Sequence, residues 1–229
     1  MGHESSPEDL VRAARSIGVA DGRLLEAVRA TPRAEFVPAE YVVSAYRDPP
    51  LPLPHDQVTT QPSLVAMMVS ALGLTGGERV LEVGTGYGWQ TALPARRLAA
   101  HVVSVERRPD LVEDARRRLA GQSLENVEIV LGDGTLGVPD RAPYDAVIVY
   151  AAFPEVPEPL VARLRTGGRL VQPIGPGGRE RVQLYERLAH GLVYRATVTP
   201  ATSSACTGPM ATISTDTCRR KCRRPVLCP

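Results

Sequence analysis

The chain lacks several features that would each define a class of protein. No cysteine occurs before Cys206, and all four, Cys206, Cys218, Cys222 and Cys228, fall in the last stretch of the 229 residues. The body therefore uses neither a disulfide framework nor a thiolate nucleophile. The cysteines contain no paired C-x-x-C knuckle, so no metal site is expected. No window approaches the apolar length of a membrane span, and Met1-Gly2-His3-Glu4 lacks a basic stretch leading into an apolar core. The expected compartment is the cytoplasm, with no membrane partner. A dominant sign of charge is missing as well: the chain has 27 basic and 25 acidic side chains. Residues 201–229 hold five of the basic and one of the acidic groups, which leaves the body slightly acidic and gives no ground for nucleic-acid binding. The four histidines, His3, His55, His101 and His190, form no constellation with an acid and a serine or cysteine, so a hydrolase triad is unsupported.

What is present has an ordinary globular composition, 43% hydrophobic and 23% charged, long enough for one α/β domain with an elaboration. Its organising stretch is Arg79 to Gln90. Val80-Leu81-Glu82-Val83 is an apolar run short enough for a buried strand, and Gly84, Gly86 and Gly88 follow before the pattern turns helical. Glycines at a strand-to-helix turn permit positive φ and close approach of a ligand to the main chain, where the helix start offers unpaired N–H groups. A dinucleotide fingerprint would need its third glycine at position 89, where the chain has Trp89. The observed pattern is E-x-G-x-G-x-G, with Glu82 leading Gly84, Thr85, Gly86 and Gly88. It resembles the nucleotide-binding loop of S-adenosylmethionine-dependent methyltransferases, and these residues are the expected cofactor loop.

The rest of the chain alternates around that loop. Ser6, Pro7 and Asp9 read as the capped start of a helix whose apolar stripe is Leu10, Ala13, Ala14 and Ile17. A second helix is expected from Asp21 to Arg29. Prolines then crowd in, and Tyr41 to Gln61 is expected to be largely extended loop, of a length that usually has a function. His101 to Val105 reads as a strand closed by Glu106, a little over twenty residues after Gly84, where an acidic side chain can accept both ribose hydroxyls. A helix over 109–120 and a strand over Val127 to Leu131 follow. Asp133 comes next, at the edge where open α/β sheets bind ligands; the lesser alternative is that it simply caps a turn. A strand at Ala146 to Val149, a helix at 157–164, a strand at 169–173 and a hairpin across about 181–198 complete the pattern. The expected fold is a doubly wound, mostly parallel seven-stranded sheet of Rossmann-like methyltransferase type, with an antiparallel C-terminal hairpin. Residues 1–78 form an N-terminal helical and loop elaboration, 79–200 the cofactor core, and 201–229 a Cys/Arg-rich tail expected to be disordered.

Several separated blocks carry a more specific likeness. Phe36-Val37-Pro38-Ala39-Glu40-Tyr41, Ala45-Tyr46-Arg47-Asp48-Pro49-Pro50-Leu51-Pro52 and Gln57-Val58-Thr59-Thr60-Gln61-Pro62 lie before the glycine loop. Gly132-Asp133-Gly134-Thr135, Ala142-Pro143-Tyr144-Asp145, Ala151-Ala152 and Gly167-Gly168-Arg169-Leu170-Val171-Gln172-Pro173-Ile174-Gly175 lie after it. Together, over roughly residues 8 to 198, the chain resembles the protein-L-isoaspartate O-methyltransferases. The resemblance implies methyl esterification of isoaspartyl or D-aspartyl carboxylates in damaged proteins and peptides, with succinimide-mediated repair to follow. It implies S-adenosyl-L-methionine as cofactor, adenine contacts from Asp133 and Gly134, and Thr60 in the place of the hydroxyl that faces the acceptor carboxylate. Thr59, Ala151 and Ala152 join Thr60 as expected substrate contacts, and a monomer is expected. A carboxylate acceptor with a pKa of about 4 is already ionised at neutral pH, so positioning without a general base suffices.

The chain departs from that family at definite places. Pro54-His55-Asp56 stands where the family has Gly-x-Gly, and Val58-Thr59-Thr60 stands for its Thr-Ile-Ser, so backbone permissiveness is lost. Asp56 would repel a carboxylate if it faced the pocket. Tyr87, Trp89 and Phe153 replace smaller residues and are expected to line the cavity. Pro94 falls inside the helix after the loop and is expected to kink it. Two other readings follow: a specialised carboxylate methyltransferase acting on an aspartate of a dedicated peptide, or a cofactor-binding relative without turnover.

Overall fold

The computed structural model describes residues 5–176 and 179–198. Its first helix, α1 (Pro7–Ser16), starts with the expected capping box, in which the Ser6 amide donates to Asp9 Oδ2 at 2.8 Å. Leu10 and Ala14 face inward as expected, but Val11 rather than Ala13 is the third fully buried residue, its longer side chain reaching the core. Helix α2 (Gly22–Ala30) is capped by Asp21, whose Oδ1 accepts the Arg23 amide at 2.9 Å.

The proline-rich stretch holds two short turns that sequence reading did not place: Arg33–Phe36 and Ala39–Ser44 are 3₁₀, each preceded by a proline, Pro32 or Pro38, while Tyr41 to Gln61 is otherwise loop and turn around one small hairpin. Proline presets a φ suited to starting a short turn, so here it nucleates structure as well as excluding longer helix. Only β1 (Pro52–Leu53) and β2 (Gln57–Val58) pair, as a small antiparallel hairpin.

After α3 (Pro62–Leu72) come β3 (Arg79–Val83), α4 (Trp89–Ala95), β4 (His101–Glu106), α5 (Pro109–Ala120) and β5 (Val127–Leu131). Then follow β6 (Tyr144–Val149), α6 (Glu158–Arg163), β7 (Leu164–Ile174), β8 (Arg181–Leu188) and β9 (Gly191–Thr197). Among the described residues seven of these strands form one sheet in the order β5-β4-β3-β6-β7-β8-β9. The pairs from β5 through β7 are parallel and the last two antiparallel. The doubly wound sheet with its C-terminal hairpin is therefore as expected. The strand order reverses beside β3, which is where open α/β sheets hold ligands. Pro94 lies in the last turn of α4, which stops after Ala95; the proline terminates a short helix where a kink in a longer one was expected. The tail expectation for 201–229 falls outside the described residues.

Strand alternation divides the core. Val80, Val102, Ala146, Ile148 and Val171 pack with α1, α2, α3, α4 and α5. Leu81, Val83, Val103, Val147, Val149 and Leu170 face the other way, against Leu160, Leu164 and Phe153. Trp89 binds the N-terminal elaboration to the sheet: it is buried in the first cluster, and its Nε1–H donates to the Thr31 carbonyl at 3.1 Å. Trp89→Ala is expected to lower unfolding free energy by about 3–5 kcal/mol, read as a drop in urea midpoint, with loss of protection in residues 7–30 by hydrogen exchange.

Candidate active site

The turn leaving β3 uses its glycines as the pattern requires. Gly84, Gly86 and Gly88 have φ of 96°, 53° and 88°, a region costly to residues with a Cβ. The Gly84 amide donates to the Val105 carbonyl at 2.9 Å, and the Gly88 amide closes back on Thr85. The Thr85 hydroxyl meets that of Ser104 at 2.5 Å. The loop is thus fixed to β4 before any ligand is considered.

Glu106 sits at the end of β4. Its Oε1 accepts the amides of Arg107 and Arg108 at 2.8 and 3.1 Å, and its Oε2 accepts the Gly86 amide at 3.2 Å. It joins the strand end to the glycine loop, beside the switch point. Glu82 is placed differently: its side chain has 0% exposure and lies beneath the loop, not in its mouth. Thr91 and Ser104 donate to its Oε1 at 2.5 and 2.8 Å, while its Oε2 is buried without a partner. Tyr150, at the end of β6, has a buried hydroxyl likewise unpartnered. Burial pushes Glu82 up to about 7; the Thr91 and Ser104 bonds oppose the rise and the Glu106 charge adds to it. Burial, and secondarily the charge of Glu82, holds Tyr150 well above the usual tyrosine range.

Past β5, Asp133 is exposed and caps a turn through Oδ1, which accepts the Thr135 amide and hydroxyl at 2.9 and 2.8 Å. Gly134 is required by packing: a Cβ there would stand 2.4 Å from Val83 Cγ1. Ala151 and Ala152 follow β6 directly, Ala152 buried and Ala151 half-buried. On the opposite side, the Thr60 hydroxyl has no hydrogen-bond partner among the described residues, and Gln61, not Thr60, is the N-cap of α3. Thr59 is engaged, its Oγ1 accepting the Leu51 amide at 2.8 Å and Arg33 Nη2 at 3.1 Å. The β1–β2 hairpin reaches the glycine loop: a Cβ built on Gly86 would stand 3.6 Å from Leu53 Cδ1. Its tip residue His55 meets Asp110 Oδ2 at 2.8 Å, and that contact holds Asp110 below the usual carboxylate range.

The large residues expected to line the cavity do not do so. Trp89 is turned toward the N-terminal helices, Tyr87 is buried under the Arg118 guanidinium at 5.2 Å, and Phe153 belongs to the far core cluster. Each finds apolar or cationic packing in the body, which outweighs lining a polar cleft. Sequence reading missed Arg33, Ser104, Thr91 and Tyr150. Thr91 alone was detectable, since helical spacing after the loop turns it back toward the sheet; the others depend on distant elements meeting.

Residues 5–203 match the family model described as Protein-L-isoaspartate(D-aspartate) O-methyltransferase (PCMT). The chain belongs to that family. It is 51% identical to a protein-L-isoaspartate O-methyltransferase of Methanoculleus marisnigri, over 71% of this chain and 73% of the relative. It is also 51% identical to the one from Anaeromyxobacter dehalogenans strain 2CP-C, over 77% and 85%. A solved protein-L-isoaspartate O-methyltransferase superposes with a TM-score of 0.71 at 32% identity, covering 85% of this chain and 65% of its own. A Plasmodium falciparum structure described as a putative family member in complex with S-adenosyl-L-homocysteine shares the fold, at a TM-score of 0.70 and 20% identity. Among the described residues no helix is long and apolar enough to cross a membrane. His55 and Asp56, at the tip of the β1–β2 hairpin, have φ of 64° and 55°, a region that favours glycine.

The raised pKa of Glu82 carries a stability consequence. Its folded value lies above the unfolded one, so stability is fully present below the unfolded value near 4.5 and is lost as pH rises through about 7. Glu82→Gln keeps an oxygen for Thr91 and Ser104 and removes the charge. The melting temperature of Glu82→Gln is expected to exceed that of the parent by several degrees at pH 8 and to match it near pH 4.5, in thermal scans across that range.

Proposed function

We propose that the chain transfers a methyl group to the free carboxylate of isoaspartyl or D-aspartyl residues in damaged proteins and peptides, with S-adenosyl-L-methionine as donor. The reading is supported by one juxtaposition: the hairpin that leads into Thr60 packs on the glycine loop through Leu53, and the Thr60 hydroxyl has no hydrogen-bond partner among the described residues. The residues fit a positively charged, adenosine-bearing cofactor. The loop of Gly84, Thr85, Gly86 and Gly88 would hold its backbone-facing part, Glu106 the ribose, and Asp133 and Gly134 the adenine. Asp133 Oδ1 is committed to its turn, so Oδ2 is the atom left for that contact. Glu82 supports the loop from below, through Thr91 and Ser104. When bound, the cofactor supplies an electrophilic methyl on a sulfonium.

The protein's part is placement. The acceptor carboxylate is ionised at neutral pH, with a pKa of about 4, so no side chain needs to remove a proton. Thr60 donates a hydrogen bond to one carboxylate oxygen and leaves the other to attack. Ala151 and Ala152 offer small side chains and main-chain groups against the substrate backbone, and Thr59 fixes the loop. The ester is then lost as methanol when the neighbouring amide closes a succinimide, which reopens in part to normal aspartate. Residues 1–78 serve as the acceptor elaboration and 79–200 as the cofactor core, in a cytoplasmic monomer.

The test is methyl transfer from labelled S-adenosylmethionine to two peptides that differ only in Asp versus isoAsp. Base-labile label is expected on the isoAsp peptide alone, and Thr60→Ala is expected to lower kcat/KM by about tenfold, the scale of one lost hydrogen bond to a charged group. Equal labelling of both peptides, or none of either despite cofactor binding, would overturn the reading.

A further inference from the structure

Arg33 has no role in the site as described so far, yet its surroundings are unusual for an arginine. It is only 2% exposed, and no carboxylate lies within ion-pair distance of it among the described residues. Its partners are neutral: Nη1 donates to the carbonyls of Ala45 and Arg47 at 3.0 and 3.1 Å, and Nη2 to Thr59 Oγ1 at 3.1 Å. Its guanidinium carbon stands 5.5 Å from the centre of the Trp89 ring. Burial lowers it to about 10, with the more distant Asp48 opposing, so it remains fully charged at neutral pH. Asp48 is itself taken up by the Ser63 amide and hydroxyl and by Gln61. A buried, unpaired charge is costly and ordinarily acquires a counter-ion. Here the three hydrogen bonds all go to the segment that ends in Thr60.

The position of Thr59 sharpens the point. Its oxygen accepts two N–H groups, from Leu51 and Arg33, which occupies both of its lone pairs. Its own hydrogen is therefore directed elsewhere, and no acceptor for it exists among the described residues.

We propose that Arg33 is the positioning residue for the methyl acceptor. It clamps the segments at Ala45, Arg47 and Thr59 into one frame that fixes Thr60, and it holds behind them the positive charge that an entering carboxylate offsets. Thr59 couples the charge to the loop. The inference rests on Thr60 being the acceptor contact, and it adds a specificity for charge: the site favours an ionised carboxylate over its amide.

The test compares Thr59→Val, Arg33→Lys and Arg33→Met with Thr60→Ala, using the isoAsp peptide as substrate and its amide counterpart as competitor. KM for the isoAsp peptide is expected to rise about tenfold in Arg33→Met and less in Thr59→Val. The preference for carboxylate over amide in competition is expected to shrink, the cofactor Kd by calorimetry to stay within about twofold, and Arg33→Lys to recover part of the discrimination. An unchanged KM and competition ratio in Thr59→Val and Arg33→Lys would overturn the proposal, as would equal loss of peptide and cofactor binding. If Arg33→Met does not fold, Thr59→Val decides alone. If Thr60→Ala leaves peptide kinetics untouched, the acceptor-loop reading fails; if Thr60→Ala acts and the others do not, only the role of Arg33 fails.

Discussion

Glu82 loses all contact with solvent at the end of β3, and the groups that compensate come from two other elements, Thr91 of α4 and Ser104 of β4. The glycine turn above it depends on the same two elements: Gln90 of α4 donates to the Gly84 carbonyl at 3.0 Å, and β4 supplies the rest. Ser104 also meets Thr85, and Val105 accepts the Gly84 amide. One buried carboxylate therefore sets the spacing between the first two parallel strands, the start of the helix after the turn, and the loop itself. Its cost is visible in the upward displacement of its pKa by burial. A polar group buried at such cost is retained where it fixes geometry that apolar packing alone would leave loose.

The second constraint joins the N-terminal elaboration to this core. Trp89, the first residue of α4, gives its ring to the core cluster and its N–H to Thr31, and its face to Arg33. Arg118 of α5 donates to the Val37 carbonyl at 2.9 Å and covers Tyr87. Tyr87 and Trp89, both larger than the residues expected there, thus act as bolts between the glycine turn and the N-terminal segment. Bulk that would obstruct a cavity stiffens the frame around it instead.

This explains what the sequence could and could not convey. The sheet was legible because β3, β4, β5 and β6 are short apolar runs separated by helical periodicity, a local signal. The positive φ of Gly84, Gly86 and Gly88 was legible because glycine at a strand-to-helix turn has few other uses. The direction of Trp89 and Tyr87 was not: it is decided by Thr31, Arg33 and Arg118, residues up to 58 positions away in the chain. The 3₁₀ turns at Arg33–Phe36 and Ala39–Ser44 were hidden because proline signals a helix break and a turn start alike. Arg33 was not singled out at all, since nothing local marks an arginine for burial.

The hairpin over Gly86 shows how these constraints balance where the chain departs from its family. His55 and Asp56 hold positive φ without glycine, at a cost of order 1–2 kcal/mol each. The His55–Asp110 contact is substantially exposed on both sides, and exposed pairs contribute only about 0–1 kcal/mol, too little to offset two strained residues. What holds the turn must lie at its base. There the Thr59 amide donates to the Leu51 carbonyl at 2.8 Å, and the Leu51 amide returns to the Thr59 hydroxyl. Arg33 fastens that same hydroxyl from the interior. The strained tip can therefore persist because the buried arginine anchors the base, and the residue next to that anchor is Thr60. Strain at the tip is offset from the core side, through an arginine that touches both the base of the hairpin and the tryptophan after the glycine turn.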